Sequence, residues 1–299
     1  MSSKTKIQWT ESTWNPVSGC SKVSPGCKSC YAERLAKRLP ASHAAGKPFS
    51  EVVCHPDRLA IPLHWRKPRR IFVCSMGDLF HEQVPFAFIS YVMDTIEHAP
   101  QHTFQVLTKR PERALAWCNH LRDIDDRFEA TAFPRNVWLG VTAEDQQRAD
   151  ERLPLLLQCP AAVRFVSVEP MIGPVNLRRF MWPTCFTWPS QYRNPSDARA
   201  AGAVVTEHRQ ALILQGQTFL DWVICGGESG PGARPMYPDW ARSLRDQCKA
   251  AGVPFMFKQW GEWAPTQGGR GEDVVRVGKR LAGRILDGVT HDGYPEVQP

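Results

Sequence analysis

Cys20, Cys27 and Cys30 stand in the segment Gly19-Cys-Ser-Lys-Val-Ser-Pro-Gly-Cys-Lys-Ser-Cys-Tyr31. Three thiolates in one short loop are soft ligands, suited to zinc or to an iron–sulfur cluster. A structural zinc site is closed by four protein ligands, whereas a cluster held by three cysteines keeps one iron free for substrate or cofactor. The missing fourth cysteine therefore points to chemistry at an open position. Zinc is the alternative: Cys27 and Cys30 have zinc-knuckle spacing, and Cys20 with His55 or Cys54 could close the site.

Such a loop needs a scaffold, and the rest of the chain supplies a repeat. Short apolar runs start at Ile71, Phe104, Val137, Val163, Trp222 and Pro254, at intervals of 33, 33, 26, 59 and 32 residues. A βα unit takes about 30 residues, and near-continuous β-branched and aromatic runs mark strands buried on both faces of a parallel sheet. Between the runs, the pattern predicts helices over Pro85–His98, Pro111–Arg122, Asp145–Leu157 and Pro238–Ala251, with another over Tyr31–Leu39 after the cysteines. The fold class is therefore α/β, a parallel βα barrel or partial barrel of TIM type. One domain spans residues 1–267, an inserted segment at 176–217 accounts for the long interval, and 268–299 form an irregular tail.

In a parallel barrel the loops after the strands converge on one edge, where active sites sit. The residues after each run are Ser75 and Asp78; Lys109 and Arg110; Glu144; Glu169; Gly226, Gly227 and Glu228; then Lys258, Gln259 and Trp260. So many ionisable groups at one edge are costly unless something polar binds among them. Gly226 and Gly227 let the backbone approach a ligand closely, although turn geometry alone also explains them. The cysteine loop follows a first strand around Ser12–Val17, which places it at the same edge. A metal-dependent hydrolase using Asp78, Glu144, Glu169 and Glu228 lacks the His-rich pattern that would support it.

The net charge of +7 is carried by the N-terminal part, where residues 1–70 hold 13 Lys and Arg against 4 Asp and Glu. Arg66, Lys67, Arg69 and Arg70 beside Trp65 suit a phosphate-bearing polymer, and equally a solvated loop. No apolar run reaches the length of a membrane span and the N-terminus has no signal-peptide core, so the expected location is the cytoplasm, with no membrane partner. In that reducing compartment the ten cysteines are expected as free thiols or ligands; Cys74, Cys159 and Cys225 lie in or beside apolar runs and read as small buried hydrophobes.

Four stretches together resemble the radical S-adenosylmethionine superfamily, and more closely its three-Cys-motif, phage-type subgroup of unknown function. They are Trp14–Glu33 with the three cysteines, Ser167–Pro174, Gly226–Gly230 and Phe257–Gly261. The Cys-x6-Cys-x2-Cys spacing here departs from the superfamily's commoner Cys-x3-Cys-x2-Cys. The resemblance implies a [4Fe–4S] cluster on Cys20, Cys27 and Cys30, with S-adenosylmethionine chelating the fourth iron and yielding a 5′-deoxyadenosyl radical on reduction. By position, Ser75 and Asp78 are candidates for the methionyl amino group, and Glu169 or Gly226 and Gly227 for the cofactor's ribose and adenine side, with Glu144 and Glu228 as further cofactor-binding candidates. Lys109, Arg110, Lys258, Gln259 and Trp260 are left for substrate, expected to be nucleic acid or a nucleotide. The reaction implies an electron donor such as flavodoxin or ferredoxin. The competing function is a zinc-stapled, non-enzymatic nucleic-acid-binding protein.

Overall fold

Each apolar run forms a strand in the computed structural model, which describes residues 5–39, 42–43, 46–124, 133–181, 218–266 and 273–296. The strands are β1 (Ser12–Trp14), β2 (Arg70–Val73), β3 (Thr103–Thr108), β4 (Val137–Thr142), β5 (Val163–Val168), β6 (Trp222–Gly226) and β7 (Phe255–Gln259). They form a seven-stranded sheet in sequence order, with parallel pairing as expected of the βα class. β4 and β6 are buried along their whole length, as continuous apolar runs require.

The helices are α1 (Tyr31–Arg38), α2 (Phe86–Glu97), α3 (Pro111–Ile124), α4 (Gln146–Leu156) and α5 (Pro238–Ala251). α2 buries Phe88, Ile89, Val92, Met93 and Ile96, one face at helical spacing. Each such side chain contributes about 1.5–3 kcal/mol by leaving water. α4 starts at Asp145, whose carboxylate accepts the Arg148 N–H at 2.9 Å. α5 opens on Pro238 and closes on Gly252 at φ 63°, the left-handed position that ends many helices.

The chain divides into two compact units, Met1–Thr142 with Gln158–Arg164 and Ala143–Leu157 with Phe165–Pro299. In the first, β1 to β4 pair in parallel around Trp14, Ile71, Phe104, Val106 and Leu139. In the second, β6 pairs with β5 and β7. Here the register shifts: Cys225 lies opposite Phe257, but Gly226 lies opposite Gln259, so Lys258 is an extra residue in β7. This is a bulge, which bends a strand and re-aims its side chains.

The sequence leaves the last residues irregular, yet from 273 onward they carry short elements. Val274–Arg276 pairs antiparallel with Trp263–Pro265, and Lys279–Ala282 makes a helical turn. The Trp222 indole donates to the Gly293 carbonyl at 2.7 Å, with Tyr294 packed 5.0 Å from its ring. Strands of three residues are too short to show a period. Of the insertion expected at 176–217, residues 182–217 lie outside the described residues. Cys74, Cys159 and Cys225 are buried, as their apolar surroundings predict.

His55, His81 and His102 are buried, and desolvation holds each below the ordinary histidine value. As pH falls through about 6.5, the unfolded chain takes up protons before the folded one does. The stability tied to these histidines is therefore present at neutral pH and declines below that value. Glu33, Glu82 and Asp287, also held low, lose their share only in more acid solution. The melting temperature should fall between pH about 7.5 and about 5.5; a flat profile there would show that the three imidazoles protonate freely in the fold.

Candidate functional site

The cysteine loop leaves β1 and is tied at once to the turn after β2. Asn15 Oδ1 accepts the Ser75 hydroxyl at 3.1 Å and the Met76 N–H at 2.9 Å. Gly19 bridges Gly77 in parallel, and its N–H donates to the Met76 carbonyl at 2.9 Å. At φ 88°, with a Cβ that would lie 2.3 Å from the Glu51 carbonyl, Gly19 has room for no side chain. Beyond the last cysteine, the Tyr31 hydroxyl donates to the Ser75 carbonyl at 2.6 Å. The loop is therefore pinned at both ends to the β2 turn.

Arg110 holds its middle. The buried guanidinium donates to Ser21 Oγ at 2.8 Å, to the Ser21 carbonyl at 3.1 Å, to Glu82 at 2.9 Å, to Asp78 at 3.3 Å and to Cys20 Sγ at 3.5 Å. Asp78 also accepts from the Thr108 hydroxyl at 2.7 Å and from the N–H groups of Phe80 and Lys109 at 3.0 and 3.1 Å. Both residues are thus filled by the chain itself. Arg110→Met should cost about 2–3 kcal/mol, since it leaves a buried carboxylate short of its cation while the other donors remain. Arg110→Lys should recover little, because one ammonium cannot span these acceptors. Denaturant midpoints within about 0.5 kcal/mol of the unaltered chain would remove Arg110 from this role.

The three thiols are free and half-buried. Burial, reinforced by Asp78 and opposed by Arg110, pushes the Cys20 thiol up to about 11. Burial also resists ionisation of Cys27, but the Lys109 ammonium and hydrogen bonds from Val23 and Ser24 outweigh it and hold that thiol below its ordinary value. Only at Cys27 do the neighbouring groups favour the thiolate, the form in which a cysteine binds metal; at Cys20 burial and Asp78 outweigh the Arg110 guanidinium. A single ion draws its ligands into one coordination sphere, and among the described residues no three His, Cys, Asp or Glu side chains are so gathered. Cysteines on separate irons of a cluster stand further apart than that, and the donor set, three thiols, is of the right chemistry. His55 Nε2 is engaged by Ser18 Oγ at 2.7 Å, and Cys54 sits opposite Val17 in a two-residue strand pair.

The remaining candidates belong to the second unit. Glu169 receives Lys258 Nζ at 2.7 and 2.8 Å and Gln259 Nε2 at 3.2 Å. Gly226 sits against this carboxylate, where a Cβ would lie 3.3 Å from Glu169 Cδ. The close approach that bars a side chain at Gly227 is to the Trp260 carbonyl, 1.9 Å from its ideal Cβ. Glu144 is buried on Arg152 at 2.9 Å, and Glu228 is chelated by Arg234 through its N–H, Nε and Nη2 at 2.9, 2.8 and 2.7 Å. The Trp260 side chain is buried, its indole donating to the Ile285 carbonyl at 2.8 Å.

The family model described as "Protein of unknown function (DUF5131)" matches residues 4–295. The chain belongs to the DUF5131 family. No curated protein matches this DUF5131 chain significantly. Among solved structures, a cysteine-to-serine mutant of spore photoproduct lyase aligns at TM-score 0.42 and 12% identity, over 92% of this chain and 71% of that one. The lyase complexed with dinucleoside spore photoproduct aligns at 0.41 and 13%, over 84% and 75%. A double mutant with bound AdoMet and the same dinucleoside aligns at 0.42 and 12%, over 84% and 75%.

Several residues that build the DUF5131 site carry no sequence signal of their own. Asn15 before Pro16 looks like a turn residue, yet it joins the ends of β1 and β2. Ser21 and Glu82, which complete the Arg110 clamp, look like ordinary surface groups. The basic run has a clear sequence signal but a different place: Arg70 opens β2, so Arg66, Lys67 and Arg69 lie at the N-terminal edge of that strand, with Arg69 stacked 5.0 Å from the Trp65 ring. Among the described residues no helix is long and apolar enough to cross a membrane.

Proposed function

We propose that the chain is a radical S-adenosylmethionine enzyme acting on nucleic acid or a nucleotide, with a [4Fe–4S] cluster on Cys20, Cys27 and Cys30. The observation that carries this reading is the loop: three free, half-buried thiols pinned at the strand-end edge of the first unit, one of them, Cys27, favoured as the thiolate. When bound, the cluster supplies the electron that cleaves S-adenosylmethionine to a hydrogen-abstracting 5′-deoxyadenosyl radical.

The chain's own residues hold and orient. Arg110 and Asp78, saturated by internal bonds, are assigned to fixing the loop rather than to substrate or cofactor. Ser75, beside them, remains the candidate for the methionyl amino group. Glu144 and Glu228 are each neutralised by an arginine and are assigned to supporting the second unit. Glu169, Lys258 and Gln259 stay as the groups for nucleoside, from cofactor or substrate. A base in a duplex would have to leave its stack to reach them, and an acidic electron carrier such as flavodoxin or ferredoxin would complete the cycle.

The test is iron and acid-labile sulfide content after anaerobic purification, followed by 5′-deoxyadenosine release from S-adenosylmethionine under dithionite. Iron, sulfide and cleavage together support the reading. Zinc without sulfide would replace it with the zinc-stapled binding protein.

A further inference from the structure

The end of the chain gathers cations that the fold leaves to solvent. From Val274 to Ile285 the sequence carries Arg276, Lys279, Arg280 and Arg284 and no acidic residue. Arg284 is taken by Asp292, and Asp287, just beyond, is taken by Arg242 and Arg245 at 2.9 and 2.6 Å. Arg276, Lys279 and Arg280 are exposed, and among the described residues neither of these two arginines has a carboxylate partner.

These cations are held in place. The Val277 and Gly278 N–H groups both donate to the Glu262 carbonyl at 3.0 Å, the Trp260 N–H donates to the Gly283 carbonyl at 3.1 Å, and the Trp260 indole donates to the Ile285 carbonyl at 2.8 Å. Trp260 and Glu262 directly follow β7, where the bulge turns Lys258 and Gln259 together onto Glu169. The exposed cations are thus fixed next to that polar corner. Partial burial and the Lys258 ammonium hold Lys279 below the ordinary lysine value, against the pull of Glu169 and Glu262, so its charged form gains from any further anion. Leu281, 77% exposed, stands among the cations with the exposed Val275 and Ile285. Apolar side chains rimmed by charge mark an interaction surface, and a polyanion that also carries sugars and bases matches both parts of this one.

We propose that Arg276, Lys279 and Arg280 form a phosphate-binding surface that holds the backbone of a nucleic acid strand next to Glu169, Lys258 and Gln259. This rests on the nucleic-acid reading above and names the surface that carries the strand. The planar guanidinium groups of Arg276 and Arg280 can each grip a phosphate through two N–H donors. The basic run at Arg66, Lys67, Arg69 and Arg70 has the plainer sequence signal, but it belongs to the first unit and to the N-terminal edge of its strand.

The test is the salt dependence with which the full chain, purified anaerobically, binds a labelled single-stranded oligothymidine about 16 nucleotides long. Each phosphate contact to a single strand adds about 0.7 to the slope of log affinity against log salt, so combining Arg276→Gln, Lys279→Gln and Arg280→Gln should flatten that slope by about 2. The loss of affinity should be largest at low salt and shrink as salt rises. Arg66→Gln with Lys67→Gln is the control and should keep the slope of the unaltered chain. An unchanged slope in the triple variant, or a comparable flattening in the control, would overturn the proposal while the unaltered chain's binding keeps the nucleic-acid reading in place. Absence of salt-dependent binding by the unaltered chain would overturn both. Should the triple variant fail to fold, the three single substitutions replace it, each expected to flatten the slope by about 0.7. Iron measured on the same sample separates the chemistry: a flattened slope in a chain without iron removes the radical reaction and supports this surface.

Discussion

Cys27→Ala, purified and reconstituted without oxygen, is expected to lose most of its iron and sulfide and to release no 5′-deoxyadenosine above background. The unaltered chain should hold about four irons. The reason is stoichiometric: a cluster with three protein ligands that loses one has two irons open to solvent and thiol exchange. The fold should survive, because Cys27 is half-buried in a short loop turn and its replacement opens no core cavity. Cys54→Ala is the companion variant. Cys54 lies outside the loop, opposite Val17, so the cluster reading expects it to keep its iron. Metal loss in Cys54→Ala equal to that in Cys27→Ala would instead make Cys54 a fourth ligand and return the site to zinc.

Gly227→Ala should be the most damaging single substitution in the second unit. Its Cβ would sit 1.9 Å from the Trp260 carbonyl oxygen and 2.6 Å from the carbonyl carbon. Neither backbone can yield easily, because Gly227 donates to the Gln259 carbonyl at 2.9 Å and Glu262 to the Glu228 carbonyl at 3.0 Å. Gly261 faces the same contact from the other side, at φ 86° with the Glu228 carbonyl 2.2 Å from its ideal Cβ. A cost above about 4 kcal/mol is expected, in the range where a variant of a marginally stable domain stops accumulating. Gly232→Ala is the control: its φ is 73° but nothing lies within 4 Å of a Cβ, so only the left-handed backbone is charged, about 1–2 kcal/mol. Equal denaturant midpoints for the two variants would show that the ends of β6 and β7 can part without loss.

Much of the scaffold was legible because its signals are periodic. The spacing of apolar runs predicted the six later strands, and Pro238 with Gly252 bounded a helix observed at Pro238–Ala251. The three cysteines stood out by type and spacing alone. Pairing was not legible. Glu144 and Glu228 look like free strand-end carboxylates in the sequence, and nothing there ranks a ligand above Arg152 or Arg234, which hold them in the fold. Arg110 likewise looks like a substrate cation until its donors are seen to close on Ser21, Glu82 and Asp78. Gly226 and Gly227 read in the sequence as room for a ligand, whereas at Gly227 the space is taken by the Trp260 carbonyl, a tertiary contact with no local signal.

The extra residue in β7 makes chain length part of the chemistry of the Glu169 corner. Take one residue out of that strand and its pairing with β6 could run on without a break, but strict alternation would return and carry one of the two polar side chains to the opposite face. No letter elsewhere in the corner would have changed. During divergence, such a segment tolerates exchanges of residue type more readily than gains or losses of a single position, so a gap in β7 would mark a relative whose corner does different work.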